Sequence, residues 1–242
     1  MTHFGQHSDT IQVWDLPVRV FHWLILVLVA LLWYTGEVGG LDLSVPWPGG
    51  ETLFLGNMDV HMLLGQAVLT LVIFRVFWGL FGSTTARFAS FVRGPRAVLQ
   101  YARASLSGRE PPSLGHNPAG TLMVLLLLGL LATQAILGLF ASDDIFSEGP
   151  LAHLVSSDTS RRLTELHGLL FNLLLAAIAL HVLAAFVYLF RGKNLIKAMV
   201  TGHKSAAQVP QDEVRDLRFV SSAWALLLLV VSGLLVWSLR LL

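Results

Sequence analysis

Five stretches of this chain are apolar over a length that crosses a bilayer, and they fix the architecture before any other feature is considered. They run from about Val18 to Tyr34, Val60 to Leu80, Thr121 to Phe140, Leu163 to Phe190 and Val220 to Leu239. Each is expected to be a helix, because an open strand in hydrocarbon leaves its backbone N–H and C=O groups unpaired. The fourth is long enough to tilt or protrude. Of the 242 residues 55% are hydrophobic and 13% charged, and most of the charges lie in the connections. The fold class is therefore an all-α integral membrane protein without a soluble domain: a four-helix transmembrane bundle, residues 1–204, followed by a linker and a fifth C-terminal transmembrane helix, residues 205–242. Arg19 and His22 lie inside the first stretch and no small-residue cleavage motif follows it, so it reads as a retained helix and not as a signal peptide. Membrane lipid is the first partner implied, and nothing points to nucleic acid.

The connections orient the bundle. Between the second and third stretches lie Arg87, Arg93, Arg96, Arg103 and Arg109 against Glu110, and after the fourth come Arg191, Lys193, Lys197 and Lys204. Such excesses of Lys and Arg stay on the cytoplasmic side. The connection after the first stretch has Glu37, Asp42, Glu51 and Asp59 with no Lys or Arg, and the one after the third opens with Asp143, Asp144 and Glu148. The expected topology is a multi-pass membrane protein with the N-terminus on the cytoplasmic side and the C-terminus outside. The basic segment from Arg87 to Pro112 reads either as a solvated connector or as a short helix at the lipid surface, with Phe88, Phe91 and Tyr101 dipping in.

Four of the nine histidines, His22, His61, His167 and His181, lie within the apolar stretches. A buried imidazole without a partner costs a few kcal/mol, and polar groups inside a membrane mark function. His181 follows His167 by 14 residues, roughly 21 Å along a helix and about 40° short of four full turns, so both rings leave nearly one face at two depths. With the topology above, His22 shares the inner depth with His181, and His61 the outer depth with His167. The alternative, four packing histidines, leaves this pairing by depth across three helices unexplained.

Two imidazoles at one depth on facing helices can hold a metal. A bare zinc or copper ion asks for further ligands, and no Cys, Asp or Met cluster lies nearby. The chain has no cysteine, which excludes covalent c-type haem and cysteine-held iron–sulfur clusters. Haem brings four nitrogens of its own and needs two axial ligands, so the pairing fits two bis-histidine haem b groups: His22 with His181 on the cytoplasmic side and His61 with His167 on the periplasmic side. Gly36, 14 residues after His22, and Gly65, four after His61, thin the helices where a porphyrin needs room, although glycine also serves plain helix packing. Arg75 lies 14 residues after His61 and is expected to pair with a propionate of the inner haem; the alternative is snorkelling to the interface near Trp78. Arg19 is a second propionate candidate or a positive-inside anchor, and Arg161 and Arg162 serve the outer haem or cap the interface. His116 is either a helix-start residue or a contact to propionate or quinone. His3, His7, His153 and His203 receive no role.

The segments VWDLPVRVFHW, HMLLGQAVLTLVIFRVFWG, GHNPAGTLMVLLLLGLLATQAILGLF and ELHGLLFNLLLAAIALHV closely resemble bacterial cytochrome b561 proteins and the b-type cytochrome subunits of nickel–iron hydrogenases. The resemblance covers roughly Val13 to Lys204. It implies a di-haem electron carrier with His22, His61, His167 and His181 as ligands, the set already reached from depth. It leaves the fifth helix, free of titratable groups from Val220 to Leu239, to packing or partner docking.

Three functions follow from these readings. One is transmembrane electron transfer between the quinone pool and a periplasmic or membrane-bound redox partner, such as a cytochrome c or a dehydrogenase or hydrogenase subunit. The second is a superoxide oxidase-type quinone reductase acting without a stable partner. The third is a non-redox metal or haem transporter. Six-coordinate haems leave no open position for substrate, which favours the carrier, by itself or as a subunit of an oxidoreductase complex. The acidic outer connections suit a basic redox protein.

Overall fold

The structure, a computed structural model, describes residues 10–46 and 48–242; His3 and His7 lie outside them. In chain order the elements are β1 (Thr10–Gln12), α1 (Leu16–Trp33), β2 (Leu43–Pro46), β3 (Thr52–Leu55), α2 (Asn57–Phe81), α3 (Phe88–Phe91), α4 (Pro95–Leu106), α5 (Pro118–Leu139), α6 (Ser157–Phe190), α7 (Leu195–Thr201), β4 (His203–Ser205), α8 (Gln211–Val214) and α9 (Ser222–Ser238). The five expected membrane helices are α1, α2, α5, α6 and α9, each long and apolar enough to span. The 34 residues of α6 measure about 51 Å, more than the hydrocarbon core needs. Leu169, Leu183, Leu226 and Leu234 are exposed, as side chains facing lipid must be.

Short polar side chains start these helices. Asp15 accepts the backbone N–H of Val18 at 2.9 Å and so caps α1, where its charge also suits the helix dipole. Asn117 accepts from Gly120 N at 2.7 Å, with Pro118 as the first residue of α5. Asp59 reaches back to Gly56 N at 3.0 Å at the start of α2. The helix-start residue of α5 is thus Asn117 and not His116.

The chain divides into two compact units. Among the described residues one comprises 10–20, 76–126 and 178–225, the other 21–75, 127–177 and 226–242.

In the first unit β1 pairs antiparallel with β4, Thr10 opposite Ser205 and Gln12 opposite His203. Trp78 is fully buried, and its indole N–H donates to Asp15 Oδ2 at 2.9 Å, so the cap of α1 is also fixed to α2. Lys204 donates to the carbonyls of Ser113, Leu114 and Gly115 at 3.0 to 3.2 Å. Burial, with the Lys193 ammonium as a second cause, holds its pKa down to about 8. Here the structure corrects the lipid-surface reading of the basic segment. Short helices do form there, as α3 and α4, but Phe91 and Tyr101 are buried within the protein. Phe91 packs on the His116 ring at 5.0 Å and Phe88 fills the space left by Gly79. The Tyr101 hydroxyl joins Tyr188 at 3.0 Å and Glu110 at 3.2 Å. Burial raises the Glu110 carboxyl, but the Lys193 ammonium at 2.8 Å and the Ser105 and Tyr101 hydroxyls outweigh it and hold the group below its usual range. An amphipathic helix of this kind needs an apolar neighbour, and protein supplies it as well as lipid does.

In the second unit β2 and β3 form an antiparallel hairpin, Leu43 opposite Leu55. Its N-terminal stem is tied to α2 through Asn57, which donates to Thr35 O and accepts from Leu41 N. Val236 of α9 is buried in a cluster with Leu69, Leu139 and Leu151, so α9 packs on this unit through that residue. The connection that follows α5 is held by Asp143, whose exposed carboxylate accepts the backbone N–H groups of Ser147, Ile145 and Phe146. Those bonds keep its pKa at about 2, so the loop stays charged.

Candidate functional site

α2 and α6 bring His61 and His167 to face each other across a cavity of about 400 Å3 in the second unit. Their ring centroids are 6.4 Å apart and their planes stand at 71°. A metal ion bound by both rings at about 2 Å per nitrogen sets the ring centres roughly 6 Å apart, so the observed separation has room for one metal ion between the rings.

The second nitrogen of each ring is already committed. His167 Nδ1 lies 3.0 Å from the carbonyl oxygen of Gln134, an acceptor only, so Nδ1 carries the proton and Nε2 keeps its lone pair. His61 Nδ1 lies 2.8 Å from Thr35 Oγ1. The single hydroxyl proton of Thr35 is engaged by the carbonyls of Leu31 at 2.9 Å and Leu32 at 3.2 Å, which leaves Thr35 to accept from His61 and again frees Nε2. Such partners fix the tautomer and orientation of a ligating imidazole. Thr35 reaches His61 because α1 loosens into a π-turn at Tyr34–Val38; such turns recur at functional sites.

Glycines shape the space around the rings. A Cβ on Gly36 would meet His61 Cε1 at 3.4 Å, and one on Gly138 would meet His167 Cε1 at 3.1 Å. Gly65 lines the same cavity and a Cβ there would meet nothing within 4 Å. Two imidazoles with free Nε2 atoms, a mostly apolar wall and glycines against both rings suit a flat macrocycle that supplies the remaining metal ligands. No group of three His, Asp or Glu side chains fit to hold a bare ion occurs among the described residues.

The other sequence candidates stand as follows. His22 is in α1 and His181 in α6, both half-buried, His22 in the second unit and His181 in the first. Arg75 is 4% exposed within the apolar run of α2. Arg19 donates from Nη1 to Val200 O at 2.7 Å, at the C-terminal end of α7, where a cation complements the helix dipole. His116 packs between Trp14, at 4.6 Å, and Phe91.

Arg161 is paired with Asp144 at 3.2 Å and Arg162 with Asp158 at 2.9 Å, both at the surface. The cation that meets the cavity wall is instead Arg240, whose Nε and Nη2 donate to Gln66 Oε1 at 3.0 and 2.7 Å. Sequence reasoning missed Thr35, Gln134, Gly138 and Arg240. Gln134, the one amide in the third apolar stretch, was the available signal for its helix. The contact that matters, however, is to its backbone carbonyl, which no side chain announces.

The family described as prokaryotic cytochrome b561 matches residues 13–202. A probable Ni/Fe-hydrogenase B-type cytochrome subunit of Rhizobium leguminosarum bv. viciae is 29% identical over 151 residues, 58% of this chain and 62% of that protein. A probable Ni/Fe-hydrogenase 1 B-type cytochrome subunit of Escherichia coli (strain K12) is 30% identical over 128 residues, 47% of this chain and 53% of that protein. The chain thus spans between about half and three fifths of the length of these relatives. The match runs from just after β1 to just past α7 and takes in His22, His61, His167 and His181, and on it the chain belongs to the prokaryotic cytochrome b561 family.

Proposed function

We propose that this protein is a di-haem b-type cytochrome that carries electrons across a bacterial inner membrane, between quinone and a redox partner on the periplasmic side. The observation that supports this best is the His61–His167 pair, ring centres 6.4 Å apart and each Nδ1 engaged by a neighbouring group. Haem b bound there supplies a one-electron couple. His61 and His167 hold the outer group, Thr35 and the Gln134 carbonyl keep both rings in ligating form, and the apolar wall excludes water. His22 and His181 hold the inner group, on the helical arithmetic given above. The di-haem domain comprises residues 1–204, with 205–242 as linker and additional helix, the N-terminus cytoplasmic and the C-terminus periplasmic.

Arg75 serves the inner haem as a fixed cation. Its burial speaks against snorkelling and fits a charge held for a purpose. Arg75→Leu is expected to retain both axial ligands while lowering one of the two midpoint potentials, because losing a nearby cation favours the oxidised, more positive state. A redox titration with unchanged midpoints removes the assignment. Arg19, which donates to Val200 O, is the second candidate cation for the inner propionates.

The partner is a basic redox protein or membrane-bound subunit, and the hydrogenase subunits among the relatives favour a hydrogenase. The outer connections carry Glu37, Asp42, Glu51, Asp59, Asp143, Asp144 and Glu148, and their first cations, Arg161 and Arg162, are spent on Asp144 and Asp158. A second reading, a superoxide oxidase-type quinone reductase acting without a stable partner, draws support from Arg240, a cation at the cavity wall with no carboxylate paired to it among the described residues. Stopped-flow reduction separates them. The carrier takes electrons from quinol and passes them to a protein that co-purifies from the native membrane. Superoxide consumption near the diffusion limit, with no such protein, assigns the oxidase.

A further inference from the structure

α9 lies beyond the residues that match the family, yet the chain that follows it is hydrogen-bonded to Gln66, a residue that lines the candidate haem cavity. Two residues past α9, Arg240 places two N–H groups on one acceptor, Gln66 Oε1, and its guanidinium lies 4.9 Å from the Trp237 ring centroid. Two of the five donors of an arginine are used in this way and three remain. No carboxylate forms an ion pair with Arg240 among the described residues, whereas Arg161 and Arg162 each have one. Gln66 lines the cavity, and beside it Gly65 leaves open space where a side chain would stand. A fork fixed at both of its bonded nitrogens keeps the remaining donors and the charge in one place, which a free surface arginine does not.

We infer that Arg240 is the carboxylate-binding residue of the outer site: held by Gln66 and Trp237, it meets a carboxylate side chain of the macrocycle between His61 and His167. α9 thereby contributes to the site as well as to packing. The inference rests on the assignment of a haem to that histidine pair.

The test is a redox titration of the purified haem-loaded protein with Arg240→Gln, Arg240→Lys, Gln66→Ala and the double variant Arg240→Gln with Gln66→Ala. Arg240→Gln is expected to lower one midpoint only, the one belonging to the haem lost in His61→Ala. At a fixed ambient potential the oxidised-to-reduced ratio of that haem rises several-fold, while the other haem does not move. Arg240→Lys restores most of the shift, and adding Gln66→Ala to Arg240→Gln adds little, because both act through one contact. Equal midpoints in Arg240→Gln and the parent protein overturn the inference, as does an equal shift of both haems, which reports a general structural change. If His61→Ala and His167→Ala do not remove a common haem, the underlying assignment has failed instead.

Discussion

Replacing either His61 or His167 by alanine is expected to remove one and the same haem and to leave the second in place. Haem content falls from two per chain to one, and the spectrum left behind is identical in the two variants. The rings stand 6.4 Å apart with both Nδ1 atoms engaged, so neither retains the iron without the other in six-coordinate form. His22→Ala and His181→Ala are expected to remove the other group. Pyridine haemochrome quantitation with a low-temperature reduced-minus-oxidised spectrum reads the outcome. Loss of the same signal from His22→Ala and His61→Ala would sink the pairing by depth and, with it, the topology on which that pairing rests.

Gly138→Leu has an effect of similar size by a different route. A Cβ alone at this position stands 3.1 Å from His167 Cε1, and leucine adds three further carbons in a wall that surrounds the cavity. The ring is displaced from its hydrogen bond to Gln134 O, and the space for the macrocycle shrinks. The expected product is a folded, membrane-inserted protein with one haem per chain, since leucine in a helix interior is favoured over glycine by up to about 1 kcal/mol. Gly129→Leu provides the control, because nothing lies within 4 Å of a Cβ there and the same helix receives the same side chain. Two haems with unaltered spectra in Gly138→Leu would show that the glycine does not guard the site.

The five membrane helices and the nearness of His61 to His167 were legible because they rest on two robust regularities: the length of apolar run that a bilayer demands and the period of the α-helix. His61 and His167 lie on different helices, so only the alternation of helix direction brings them to one depth, and the charge asymmetry of the connections carries that information. What escaped was whatever depends on backbone atoms or on distant chain segments. Thr35 matters through a π-turn that local composition does not announce. The pairing of Thr10–Gln12 with His203–Ser205 joins segments nearly two hundred residues apart, each only three residues long. The segment with Phe91 and Tyr101 stayed open between a solvated connector and a lipid-surface helix because an apolar helix face does not declare what it faces; Glu110, Tyr188 and His116 supply the protein neighbours. Arg240 was overlooked because it ends a helix that otherwise has no titratable group.

The packing of α9 also bears on how the protein is made. Val236 packs in a cluster with Leu69, and Arg240 holds Gln66 of the cavity lining; both leave the ribosome some 70 positions after His167. While translation is under way, His61 and His167 can be in the membrane before these contacts exist. Chain synthesis proceeds from the N-terminus at roughly 5 to 20 residues per second, which leaves an interval of several seconds before the last helix arrives. In biogenesis the contacts of α9 are thus among the last of this unit to form, and the support of Gln66 by Arg240 is tied to the final stage of translation.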